Sequence, residues 1–198
     1  MVRVCISVEG PTEERFVQQL LVPYYSKKNI FIFPTSIGGN VSIPRIKSEL
    51  EKLVYSFDFV TTFYDFYGFQ KKAPSDTKEK LEKSILESVN KDIRDKIIPH
   101  IQMYEFEGLL FSQPSSIANI LGTEHQSWAD DILDEFKNNP ETINDSPQTA
   151  PSKRLLSKTS YKKTIDGPDI AKDIGLETIR KMCKGFNSWI ESLEALTH

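Results

Sequence analysis

Cysteine occurs twice in the 198 residues, at Cys5 and Cys183, and histidine three times. No Cys-x-x-Cys pair and no Cys/His ligand spacing can be made from them. This excludes a zinc finger or a disulfide framework and leaves two reduced thiols, as expected of a cytoplasmic protein. Long hydrophobic runs are also missing. No stretch approaches the roughly 20 apolar residues of a membrane span, so no membrane partner is expected. The N-terminal apolar run is short, alternating and closed at once by Glu9, so it does not read as a signal peptide. There is no internal repeat, Walker A lysine loop, Gly-x-Gly-x-x-Gly or Gly-x-Ser-x-Gly. Neither sign of charge dominates: the net charge is −3, too small to indicate a partner. Nucleic-acid binding would have to rest on local basic patches or a metal site.

What is present starts with Met1–Phe16. Val2, Val4, Ile6 and Val8 alternate with Arg3, Cys5 and Ser7, a strand period in β-branched residues. Gly10 permits a sharp turn and Pro11 suits the first turn of a helix. Phe16, Val17, Leu20 and Leu21 then share a helical face, over about Thr12–Ser26. Glu9 is therefore expected at the carboxyl end of a buried strand, the edge where open α/β sheets bind ligands. Backed by Glu13 one turn later, it can hold a divalent metal; equally, it can simply cap the helix.

The pattern repeats downstream. Ile30–Phe33 reads as a buried second strand closed by Pro34, and Gly38-Gly39-Asn40 as a loop on the Glu9 edge. Ile43, Ile46, Leu50, Leu53 and Val54 recur at helical spacing. Phe57–Tyr64 is a third strand ending in Asp65, a second acid at a strand's carboxyl end. Two such ends on neighbouring parallel strands bring carboxylates together, as hard divalent cations require. In the polar loop Gln70–Thr77, Lys71 and Lys72 can touch phosphates or simply be solvated. A helix is expected from Asp76 or Thr77 through Arg94, then a fourth strand region over Ile97–Glu107, with His100 a surface or capping residue. Glu107, with Glu105 as the alternative acid, enters the next helix. Further helices are expected over Ser115–Leu121, around Trp128–Phe136, over Pro168–Ile174 and Leu176–Cys183, and from Phe186 onward. Asn138–Pro151 reads as a long loop leading to Lys153, Arg154, Lys162 and Lys163, the clearest basic cluster, with Tyr161 interleaved. Such a cluster can bind phosphates, and Tyr161 can either pack or stack on a base.

Several motifs resemble known ones. Val8-Glu9-Gly10-Pro11-Thr12-Glu13 resembles the opening motif of TOPRIM-like domains, the metal-binding α/β domains of primases, topoisomerases and overcoming-lysogenization-defect (OLD) nucleases. Phe106-Glu107-Gly108-Leu109-Leu110-Phe111 resembles the Phe-Glu-x-x-Leu-Leu of RloB-like relatives. Pro151-Ser152-Lys153-Arg154 and Tyr161-Lys162-Lys163 resemble the basic motifs of a bacterial TOPRIM-like family. TOPRIM domains usually carry Asp-x-Asp where this chain has Asp65-Phe66-Tyr67, so the second aspartate is absent.

The resemblance implies an α/β TOPRIM-like fold, mainly a parallel sheet flanked by helices. It divides the chain into a core over 1–122 and a helical extension with a basic loop over 123–198, packed on the core as one unit. It implies an Mg²⁺- or Mn²⁺-dependent nuclease. Glu9, Asp65, Glu105 and Glu107 would be metal ligands. Glu9, Glu13, Asp65, Glu107 and Lys153 would be catalytic, and Lys153, Arg154, Tyr161, Lys162 and Lys163 would contact nucleic acid. Partners would be DNA or RNA, an ABC-type or AAA ATPase encoded nearby in phage-defence loci, and a second copy of the chain. A non-catalytic module binding nucleic acid or the ATPase is the competing expectation.

Overall fold

A computed structural model describes residues 1–144 and 146–197. Asp145, within the loop expected over Asn138–Pro151, lies outside the described residues. Strand β1 (Val2–Val8) leads through Glu9-Gly10 into α1 (Pro11–Phe16), a π-helical stretch (Val17–Leu21) and α2 (Val22–Ser26). The helix expected over Thr12–Ser26 is therefore present with a local widening at its middle. β2 (Ile30–Ser36), α3 (Ile43–Leu53) and β3 (Phe59–Asp65) follow, then α4 (Lys78–Ser88).

All strand pairs are parallel, in the order β2-β1-β3-β4. The far edge is made of two short pieces, β4 (Ile97–Ile98) and β5 (Ile101–Gln102), both paired with β3. This corrects the continuous fourth strand expected over Ile97–Glu107. Pro99 has no N–H to give the ladder. The gap is bridged by Thr62, whose Oγ1 donates to the His100 carbonyl (2.7 Å) and accepts from the His100 N–H (2.9 Å). α4 also ends at Ser88, short of Arg94, and a 3₁₀ segment over Lys91–Lys96 completes the connection.

The pleat of β1 sorts its side chains between two apolar layers. Val4, Ile6 and Val8 join Phe16, Phe63 and the C-terminal helices in one cluster. Cys5, Val60 and Tyr64 join Ile46 and Leu50 of α3 and Leu81 and Ile85 of α4 in the other. In the first cluster Phe63 and Trp189 stack nearly parallel with His100, with His100 and Trp189 centroids 4.6 Å apart. His100 is thus a core residue, 3% exposed, rather than the surface or capping histidine expected. Its sequence neighbourhood held no sign of the Trp189 ring that covers it.

The remainder is helical: α5 (Pro114–Leu121), α6 (Gln126–Glu135), α7 (Pro151–Lys158), α8 (Lys163–Ile174), α9 (Leu176–Met182) and α10 (Lys184–Glu194). α8 begins five residues before the expected start at Pro168. Pro168 lies inside it and cannot bond the Thr164 carbonyl one turn back. Arg15 Nη1 takes that carbonyl at 3.1 Å, while Arg15 Nη2 pairs with Asp169 at 2.8 Å. The proline is accommodated because α1 supplies the missing donor. No helix among the described residues is long and apolar enough to cross a membrane.

Candidate functional site

The carboxyl ends of β1 and β3 and the turn after β5 carry Glu9, Asp65, Glu105 and Glu107, and the start of α1 adds Glu13. Each acid is positioned differently. Asp65 Oδ1 accepts the Phe106 N–H at 2.7 Å, tying the end of β3 to the turn that holds Glu105 and Glu107. Glu13 turns back to accept the Gly10 N–H through Oε2 (2.9 Å), so one oxygen of this expected catalytic acid serves as a helix cap. Glu9 lies against Gly68: a β-carbon there would collide with Glu9 Oε2 and sit 3.0 Å from its carboxyl carbon. Glu9 Oε2 is buried and has no hydrogen-bond partner among the described residues.

The Gly38-Gly39 loop supports Glu9 through the backbone. Both glycines have positive φ, and Gly39 N–H donates to the Glu9 carbonyl at 2.9 Å. That amide is committed to the fold, so it is not offered to a phosphate.

The second half of the site comes from the C-terminal helices. Lys163, the first residue of α8, places Nζ 3.1 Å from Glu107 Oε1, and the Tyr161 hydroxyl donates to the same oxygen at 3.3 Å. Tyr161 is 4% exposed, so of its two expected roles, packing and base stacking, the free fold displays the packed one. The Pro-Ser-Lys-Arg segment is the first turn of α7, not a loop. Its Ser152 N–H donates to Glu105 Oε2 at 2.9 Å, an anion held at a helix amino end. Sequence reasoning missed this role, although Pro151 at the first helical position was its available signal.

Of the expected phosphate contacts, Lys153 and Lys162 are exposed. Arg154 is directed elsewhere: Nε donates to the Thr149 carbonyl at 2.8 Å, the guanidinium lies over the Phe136 ring, and Nη1 is 3.7 Å from Glu135. Lys72, a phosphate contact or a solvated residue by its loop position, caps the Phe66 ring at 4.2 Å.

The electrostatics follow from burial and crowding. Burial raises Asp65 well above the ordinary carboxylate range, and Glu13, Glu107, Glu9 and Glu105 push it further. Glu9 and Glu107 are also raised by burial, against the pull of Lys163. Glu13 is raised by burial and by Glu9. For Lys163 burial acts downward, but Glu107, Glu105 and Asp65 outweigh it and hold the ammonium above its usual value. Five acids therefore share one lysine.

Such an array of hard oxygen donors, one of them an orphaned buried oxygen, suits a small divalent cation in chemistry. Among the described residues, however, no three acidic, histidine or cysteine side chains meet as a ready ligand set. The expected quartet of Glu9, Asp65, Glu105 and Glu107 is gathered at one edge but not closed. Glu105 is bonded to the start of α7, and Lys163 and Tyr161 hold Glu107.

A parallel, helix-flanked α/β sheet with an acidic carboxyl edge is thus the class of this protein. The chain belongs to the family described as Domain of unknown function (DUF4276), whose model matches residues 8–194. Its fold is similar to that of the C-terminal region of the Burkholderia pseudomallei OLD protein. The TM-score is 0.52 at 12% identity, over 98% of this chain and 99% of that one. No match to a curated protein is found.

Proposed function

We propose that the protein is a metal-dependent nuclease hydrolysing phosphodiesters of DNA or RNA. The observation that carries this is the convergence of five acids on one sheet edge with a single lysine among them. The likeness in fold to the OLD C-terminal region supports it, beside the motifs that resemble TOPRIM-like domains.

On this reading Glu9, Asp65 and Glu107 hold Mg²⁺ or Mn²⁺, with Glu105 at their flank. The bound ion would supply Lewis acidity and lower the pKa of a water. Glu9 Oε2, unpartnered among the described residues, is the oxygen best placed to take a proton. Lys163 moves its charge from Glu107 to the phosphate oxygens, and the exposed Lys153 and Lys162 orient the strand beyond the scissile bond. By resemblance, the enzyme would serve as effector beside a partner ATPase in a defence system.

Cleavage of supercoiled plasmid, single-stranded DNA and bulk tRNA with Mg²⁺ or Mn²⁺ tests this reading against Asp65→Asn. Metal-dependent cutting that disappears in the variant supports it. Cutting that survives the substitution means the activity lies elsewhere. A second reading, a non-catalytic binding module, draws on the Lys163–Glu107 pair, which occupies an oxygen a metal would need. That reading expects no cutting and no metal-binding heat.

A further inference from the structure

The molecule carries an open groove of about 790 Å³ that none of the five acids of the sheet edge lines. Lys28, on its wall, closes the turn into β2, where the Val2 N–H bonds the Asn29 carbonyl at 3.2 Å. This corner of the groove therefore lies at the amino end of the sheet. The length of β1, at about 3.3 Å per residue, puts roughly 20 Å between it and Glu9.

Its walls carry Lys28, Arg180, Lys181 and Lys184 against Glu177 and Glu194. The excess is positive, in a chain whose net charge is −3. Arg180 is held rigidly: Nε bonds Asn187 Oδ1 at 2.8 Å, Nη1 bonds the Tyr24 hydroxyl at 2.7 Å, and Nη2 meets Glu194 at 3.1 Å. Lys28 reaches Glu194 at 2.9 Å and lies over the Tyr24 ring. These bonds tie α10 to α2 and account structurally for Arg180 and Lys28. They do not account for Lys181 and Lys184. Both are exposed, and neither has an ion-pair partner among the described residues, yet both line the groove from the end of α9 and the start of α10. The donors left for phosphate oxygens are the ammonium groups of Lys181 and Lys184, beside a guanidinium whose nitrogens are committed to Asn187, Tyr24 and Glu194.

We propose that this groove is a binding site for phosphate-bearing ligands, whether the phosphates of a free nucleotide or the backbone of a nucleic-acid strand. The assignment does not rest on the nuclease reading, because none of the five acids lines the groove and no metal is needed for it.

The test uses the full chain in EDTA at low salt. Fluorescence anisotropy follows a labelled single-stranded oligonucleotide, with ATP and inorganic tripolyphosphate as competitors. K181E/K184E is compared with K52E/K91E, which makes the same charge change at exposed lysines outside the groove. The expected result is at least tenfold weaker binding for K181E/K184E only. Its salt slope should fall by roughly 1.4, from two contacts at about 0.7 each on a single strand. K181Q/K184Q should show a smaller loss in the same direction. Displacement by tripolyphosphate and ATP at equal concentration identifies a small-ligand site. Affinity that grows with strand length and resists both identifies a strand. The proposal is overturned if wild type binds none of these probes, or if both charge-reversed variants lose binding equally. Cleavage assays at the acidic edge remain a separate readout, so either reading can fail without the other.

Discussion

Lys163 Nζ stands 3.1 Å from Glu107 Oε1, joining the first residue of α8 to a carboxylate that is 2% exposed. Within the acidic edge this is the contact that balances charge, and it links the C-terminal helices directly to the ends of the strands. Lys163→Met should leave Glu107 without its cation while the Tyr161 hydroxyl stays bonded to it. Because the lysine is 45% exposed and Glu107 can take up a proton, the loss should be about 1–2 kcal/mol, below that of a fully buried broken pair. Urea unfolding at pH 7.5 in EDTA measures it. An unchanged midpoint would mean that the pair contributes nothing to the folded state.

Gly68→Ala probes Glu9 without touching an acid. The new methyl group would displace the Glu9 carboxylate, which is the far end of a flexible side chain. Stability should change by less than about 1 kcal/mol, as for substitutions that create neither a cavity nor a buried charge. Calorimetric titration with Mn²⁺ should show affinity reduced tenfold or more. Equal affinity in wild type and variant would remove Glu9 from the ligand set.

His100 should make the protein acid-sensitive. Burial, then the nearby Lys78 ammonium, holds the imidazole well below its ordinary value, with Gln102 opposing weakly. Lys78 Nζ is 3.2 Å from Nδ1 and Glu82 is 4.0 Å away. A depressed histidine contributes stability that is present above its unfolded pKa, about 6.5, and is lost as pH falls below it. From pH 7.5 to 5 this contribution should fall, opposite in sign to that of the raised acids at the strand edge, so chemical denaturation compares wild type with His100→Phe across the range. His100→Phe keeps the stack with Phe63 and Trp189 and should lose less stability than wild type as the pH falls. A slope identical to wild type would assign the acid sensitivity to other groups.

Trp189→Ala should be among the costliest single changes. It removes a ring stacked on both His100 and Phe63, together with the bond from Nε1 to Thr61 Oγ1 at 2.8 Å. Large-to-small changes of this kind cost about 3–5 kcal/mol. Trp189→Phe should recover part of the packing but remove the donor to Thr61 Oγ1, whose hydroxyl keeps its bond to the Ile98 carbonyl at 2.6 Å. Equal midpoints for the two variants would show that the hydrogen bond, and not the ring, carries the effect.

The alternation of β1 and the aromatic, β-branched run before Asp65 placed two acids at strand ends correctly, because period and side-chain shape are local properties. The buried stripe of α4 was equally readable in Leu81 and Ile85, which lie on the sheet as their spacing implied. The far edge was not readable. Ile97 to Glu107 has the composition of one strand, and only Pro99 marks the break that Thr62 repairs from another strand.

The basic motifs were visible as charge, but their uses were not. Ser152 N–H holds Glu105, Arg154 packs on Phe136, Tyr161 is buried on Glu107, and Lys163 turns inward. From the sequence alone came the strand–turn–helix units, the acids at their ends and the absence of a metal-binding cysteine or histidine set. Each of these depends on residues a few positions apart. The tertiary structure alone decided which oxygens are committed and which are free. The partners of Glu105, Glu107 and His100 come from helices far along the chain, and no local pattern encodes a contact that only packing creates.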